Sequence, residues 1–112
     1  MKTIAARPVY RMFRAFSEPT RLRILNLLLG GELCVCDVVN TLRIAQPTAS
    51  RHLAYLKKAG LVEARRDGLW MHYKLASPQT AFHRKLIECL GCCKHDVPQL
   101  AKDVKRLRPR CC

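Results

Sequence analysis

The sequence predicts a mainly α-helical fold with one β-hairpin, and three observations lead to it. Apolar residues recur at helical spacing from residue 8 to residue 59 and again after residue 77. Between Leu61 and Leu75 the period shortens to that of strands, around an Asp67-Gly68 pair. The 112 residues hold 21 Lys or Arg against 8 Asp or Glu, a formal net charge of +13. A charge of that size implies a polyanionic partner, either nucleic acid or an anionic membrane surface. The length suits one domain, and with aromatics at only 6% its core must be built from Leu, Ile, Val and Ala.

Each element follows from local chemistry. Over residues 8–16, Val9, Met12, Phe13 and Phe16 fall at helical spacing with arginines between them. Ser17 is suited to cap the next helix, and Pro19 is tolerated in its first turn. That helix, Thr20 to Leu29, turns Leu22, Ile24, Leu25, Leu28 and Leu29 inward and ends at Gly30-Gly31. A third, short helix runs from about Leu33 to Leu42 on Leu33, Val38, Val39 and Leu42. After a tight Arg43-Ile44-Ala45 connection, a fourth helix runs from Gln46 to about Ala59, with Pro47 near its start and Gly60 as its stop. Ala49, Leu53 and Leu56 share its narrow apolar face, and Thr48, Arg51, His52 and Tyr55 lie roughly opposite. Helix, short turn and amphipathic helix make a helix-turn-helix.

Two strand-like runs follow, Leu61 to Arg66 and Leu69 to Leu75. Asp67-Gly68 between them is a two-residue hairpin signal, because glycine accepts positive φ, and Arg65 and Arg66 stand at the tip. This hairpin turns the helix-turn-helix into a winged one. Ser77-Pro78 opens a further helix striped by Phe82, Leu86, Ile87 and Leu90. Residues 1–95 therefore form the winged helix-turn-helix domain. Residues 96–112 form a basic tail ending in cysteines, with Pro98 and Pro109 loosening it and Val97 to Leu107 a candidate amphipathic helix.

Several function classes drop out. The first residues contain no apolar run of signal-peptide length, and Ile24 to Leu29 is far too short to span a bilayer, so a cytoplasmic protein with no membrane partner is expected. The seven cysteines form groups: Cys34 and Cys36; Cys89, Cys92 and Cys93; Cys111 and Cys112. In a reducing cytosol such groups read as thiolate ligands or redox sensors. A thiol enzyme is disfavoured, since no Cys-x-x-Cys follows a strand in a βαβ unit and no His or Asp is placed to activate a nucleophile. A metal buffer would need neither a reading helix nor an arginine-tipped hairpin. His72, His83 and His95 show no paired ligand spacing and are expected to be surface or packing residues.

The fourth helix carries the expected DNA contacts. Base edges in the major groove require donors and acceptors on well-placed side chains, which Gln46, Thr48, Ser50, Arg51 and His52 supply. Gln46 and Thr48, at the helix start, are the candidates for base reading, and Tyr55 lies on the same side. His52 binds a phosphate or buttresses the helix. Lys57, Lys58, Arg65 and Arg66 suit phosphate contact, which needs only charge and reach.

The Cys34-x-Cys36 pair is the candidate sensor. Inside a regular helix its sulfurs would point about 200° apart and could not share an ion without unwinding. At the first turn the pair can chelate, and a helix N-terminus favours thiolate. Sulfur ligands select soft ions: trivalent arsenic or antimony, cadmium, lead, cuprous copper or zinc.

Four stretches together resemble the ArsR/SmtB family of metal-sensing repressors. They are Pro19-Thr20-Arg21-Leu22-Arg23-Ile24-Leu25, Glu32-Leu33-Cys34-Val35-Cys36-Asp37, Gln46-Pro47-Thr48-Ala49-Ser50-Arg51-His52-Leu53, and Arg65-Arg66-Asp67-Gly68 with Tyr73-Lys74-Leu75. The resemblance covers residues 10–90. It implies a homodimer, joined through the first helix and the helix ending at Leu90, that represses an operon from operator double-stranded DNA until a metal or metalloid binds. Arsenite or another trivalent metalloid is the implied inducer, with a cadmium-, lead- or oxidation-responsive repressor of the same fold as the alternative. Arsenite-responsive relatives resemble Cys-x-Cys-x-x-Cys, and here the third position is Val39. Cys89, Cys92 and Cys93, on one helical face by their spacing, are candidates to complete the Cys34/Cys36 site, to form a separate trithiolate site, or to remain idle at a dimer seam.

Overall fold

Chain order in the computed structural model, which describes residues 2–108, is α1 (Lys2–Phe16), α2 (Pro19–Leu28), β1 (Leu33–Cys34), α3 (Val35–Leu42), α4 (Gln46–Lys58), β2 (Val62–Asp67), β3 (Trp70–Leu75), α5 (Ala81–Cys92) and α6 (Pro98–Arg106). A 3-10 turn over Cys93–His95 joins the last two helices. This is a winged helix-turn-helix: mainly helical, with a small antiparallel sheet.

Side chains cap the starts of α2 and α5, each at a residue other than the expected one, whereas α4 and α6 start without a side-chain cap. The α2 cap is Glu18, whose Oε1 accepts the Arg21 backbone N–H at 2.8 Å. Ser17 instead finishes α1, its hydroxyl donating to the Arg14 carbonyl at 2.9 Å. At α5 the cap is Thr80, whose side chain accepts the His83 N–H at 3.0 Å, so the helix begins after the Ser77-Pro78 pair. The first helix is also longer than its apolar stripe, starting at Lys2 and not at residue 8.

Between α3 and α4 the chain reverses through Arg43, at φ 57° and ψ 49°. Glycine or asparagine is the usual choice for that left-handed closure. Its N–H bonds the Val39 carbonyl at 2.9 Å, satisfying one of the last α3 carbonyls. The turn sets α4 across α3, and the core forms beneath both. Ile24, Leu25, Val38, Leu53, Leu56, Leu61 and Leu90 are fully buried. Burial of each such side chain contributes about 1.5–3 kcal/mol.

The sheet has three strands in the order β1-β3-β2, one more than the sequence suggests. β2 and β3 pair antiparallel from Val62↔Leu75 to Asp67↔Trp70. The hairpin loop is therefore Gly68-Leu69, one residue later than the expected Asp67-Gly68. Gly68, at φ 64°, takes the first loop position, where a positive φ is required. Two residues form the third strand: Leu33 pairs with Tyr73 and Cys34 with His72.

Residues 98–106 are held firmly by the domain. Leu100 and Asp103 of α6 are fully buried. Asp103 accepts two hydrogen bonds from the Arg23 guanidinium, both at 2.8 Å, and a third from Gln99. The buried Asn26 amide donates to the Leu100 carbonyl at 3.0 Å, and Arg106 donates to the Thr41 carbonyl at 2.8 Å. Among the described residues, no helix is long and apolar enough to cross a membrane.

Candidate nucleic-acid interface and thiol site

On α4, Ala49, Leu53 and Leu56 face the core. Gln46 and Arg51 are exposed, and Thr48 and Ser50 are half-buried near the helix start. The other two candidates on this helix have partners within the protein. His52 Nδ1 faces Glu18 Oε1 at 3.9 Å, and the Arg21 guanidinium lies over the Tyr55 ring at 4.0 Å from its centroid. Glu18 and Arg21 both belong to the α2 start, so His52 and Tyr55 brace α4 against α2. Neither contact was legible in the sequence, because it depends on how the two helices cross.

At the hairpin the two candidate arginines differ. Arg65 makes a two-pronged pair with Glu32, through Nε at 2.9 Å and an Nη at 2.8 Å. The hydrogen bond from Arg65 is the main reason the Glu32 carboxyl titrates below its ordinary range, and the same bond raises Arg65. Arg66, Lys57 and Lys58 are exposed.

The thiol pair sits where the strand β1 becomes the helix α3. Cys34 has extended backbone, φ −77° and ψ 153°, as the α3 cap, and Cys36 is in the first helical turn. This break in helical geometry lets two sulfurs two residues apart meet: Cys36 Sγ donates toward Cys34 Sγ at 3.2 Å. Asp37 closes the turn, its Oδ2 accepting the Cys34 backbone N–H at 3.2 Å. Cys34 is buried and Cys36 half-buried. With sulfur–ion bonds of about 2.3 Å, sulfurs at that separation subtend roughly 90° at a shared ion, nearer a three-bonded pyramidal centre than a tetrahedral one.

Cys89 and Cys92 are exposed on the last turns of α5, and Cys93 starts the 3-10 turn. Cys93 Sγ donates to the Cys89 carbonyl at 3.5 Å. Burial, then the neighbouring Cys89 and Cys92, push the Cys93 thiol up and disfavour its thiolate. Among the described residues, no three His, Cys, Asp or Glu side chains are arranged to hold a metal. Cys111 and Cys112 lie outside the described residues. His83 is a residue whose setting the sequence did not reveal: it is buried at α5, its Nε2 has no hydrogen-bond partner among the described residues, and burial lowers its pKa.

Residues 18–64 match the family described as bacterial regulatory protein, arsR family. The chain is 39% identical over 98 residues to the arsenical resistance operon repressor of Escherichia coli, covering 86% of this chain and 84% of the relative. It is 44% identical over 68 residues to a cadmium resistance transcriptional regulatory protein CadC homolog of Staphylococcus aureus, covering 60% and 56%. Among solved structures it resembles a homodimeric winged helix-turn-helix DNA-binding domain from Mycobacterium bovis, with a TM-score of 0.70, 29% identity, and coverage of 90% of this chain and 88% of that one.

Proposed function

The chain belongs to the arsR family of bacterial regulatory proteins, and from that premise we propose that it silences a metalloid-resistance operon until trivalent arsenic or antimony occupies Cys34 and Cys36. As a family member it is a DNA-binding transcriptional repressor and not an enzyme. The observation that carries the finer reading is the 3.2 Å approach of the two sulfurs at a junction shared with the wing sheet. Cys34 is itself a sheet residue, in register with His72, and Cys36 begins the helix whose end turns into α4. Drawing both thiolates onto one soft centre fixes the torsions of residues 34–36. That reorients β1 against β3 on one side and α3 under α4 on the other, so DNA binding and ion binding oppose each other.

In this reading Gln46, Thr48, Ser50 and Arg51 face the bases, while Arg66, Lys57 and Lys58 reach phosphates. Two copies pair through α1 and α5. The half-exposed Phe13 of α1 and its edge contact with Phe82 of α5, at 5.1 Å between ring centroids, make a continuous aromatic patch for a second copy. The similar domain from Mycobacterium bovis is itself homodimeric, which supports the pairing of two copies.

The test uses a DNA fragment selected by this protein from a random pool. Fluorescence anisotropy follows its release by arsenite, antimonite, cadmium, lead, zinc and a thiol oxidant. Arsenite and antimonite are expected to release it from the wild type and not from Cys34→Ser/Cys36→Ser. Release by cadmium, lead or oxidant alone would replace the metalloid with the second class of signal, and release that survives both serines would move the sensor elsewhere.

A further inference from the structure

A cleft of about 530 Å³ opens between α1, the end of α4 and the start of α5. That volume suits a small organic molecule. Val9, Met12 and Phe82 give it apolar walls, and Arg11, Lys58 and His83 also line it. Arg11 Nη1 donates to the Lys58 carbonyl at 3.4 Å, which ties α1 to the end of α4 at this cleft. None of its described lining residues is acidic. His83 is an independent sign of a ligand, being 1% exposed with no hydrogen-bond partner for its Nε2 among the described residues. A buried polar atom in that state is unfavourable until a partner reaches it. Burial lowers the pKa of the ring, so at pH 7 it is neutral and carries one N–H, which on Nε2 is a donor to a carboxylate.

We propose that this cleft binds a monocarboxylate with an apolar tail, its head against Arg11, Lys58 and His83 and its tail along Val9, Met12 and Phe82. Charge selects the head. Two cations with no acidic neighbour repel an amine, and they hold a carboxylate through charge-assisted hydrogen bonds stronger than those to an alcohol. The walls select the tail, because acetate would leave their apolar surface in water. The lining residues belong to α1, α4 and α5, so the site is separate from the thiol pair on β1 and α3. Its effect on DNA rests on the reading of Lys58 as a phosphate contact, whereas binding itself does not. A carboxylate held on Lys58 competes with phosphate, so an occupied cleft weakens the grip on DNA. Phe82 also belongs to the aromatic patch offered to a second copy, which makes that copy the rival occupant.

Reduced full-length protein without DNA is titrated with decanoate, decanol, decylamine and acetate. Calorimetry gives affinity and stoichiometry, and nuclear magnetic resonance follows the histidine ring nitrogens. Decanoate is expected to saturate at one equivalent per chain and to shift the His83 Nε2 resonance. The other three compounds should bind at least about tenfold more weakly. Arg11→Gln, at the surface, should weaken decanoate at least about fivefold and leave decanol unchanged. His83→Leu, which removes the unpartnered nitrogen, should weaken decanoate and raise the urea midpoint. Cys34→Ser/Cys36→Ser should bind decanoate as the wild type does. On the selected DNA, decanoate should raise the wild-type dissociation constant at least about threefold and leave that of Lys58→Gln unchanged. Decanoate that binds without changing the wild-type constant would remove Lys58 from the phosphate contacts and leave the site standing. Equal affinity for decanoate and decanol would overturn the carboxylate head. Uptake of many equivalents, unaltered by Arg11→Gln, would mean diffuse attraction to a basic surface and overturn the site. Binding seen only at dilutions where the protein is monomeric would give the cleft to the second copy and overturn it as well.

Discussion

Arg65 and Arg66 are neighbours on β2, yet their charges meet different surroundings. The Arg65 fork is occupied by Glu32, while Arg66 stands in solvent. Each phosphate neutralised adds about 0.9 to the slope of log affinity against log salt. Arg66→Ala is therefore expected to reduce that slope by about 0.9 while weakening all DNA sequences alike, and Arg65→Ala to reduce it by clearly less. Affinity measured from low to moderate salt for both variants checks this, and equal loss of slope would place both arginines on phosphate. Charge and position on a hairpin mark both residues in the sequence as phosphate binders. Only the fold brings Glu32, more than thirty residues earlier in the chain, beside one of them.

At the scale of elements, α6 depends on one buried carboxylate. Burial pushes the Asp103 carboxyl up, but the hydrogen bonds from Arg23 and Gln99, together with the Arg23 and Arg106 charges, outweigh it and leave it below its ordinary value. The stability supplied by this depressed group is fully present above the unfolded value, about 3.9, and is lost as pH falls through the lower folded value. Removing one partner of a buried pair costs about 3–5 kcal/mol, and the partly exposed Arg23 places Asp103→Ala near about 3 kcal/mol. Urea midpoints at pH 7 should show that loss, and the gap to wild type should shrink below about pH 4. A constant gap would mean that the pair's charge contributes nothing. Helices α2 to α5 and the hairpin were legible because their apolar periods extend over many residues. Strand β1 was not, since two residues cannot display an alternation. The anchoring of α6 was hidden for another reason: Asp103 and Arg23 lie eighty residues apart, and in a basic segment one aspartate reads as solvated.

At the scale of the whole molecule, the proposed sensor and the proposed DNA interface are joined through few covalent steps. Cys34 belongs to the wing sheet, Cys36 to the helix before the reading helix, and the two sulfurs touch. One protomer, 44 Å in its longest extent, offers a single reading helix. Two such helices about 34–36 Å apart, as a homodimer would place them, read successive turns of a palindrome. Any shift of the β1–α3 junction then acts twice, once in each half-site. The most direct test of this coupling is the ratio of DNA dissociation constants with and without saturating trivalent arsenical, for the wild type and for Cys36→Ser. A coupling of about 1–3 kcal/mol predicts a ratio of about 5–150 for the wild type and a ratio near one for the variant. The same ratio in both proteins would contradict a switch built on Cys34 and Cys36.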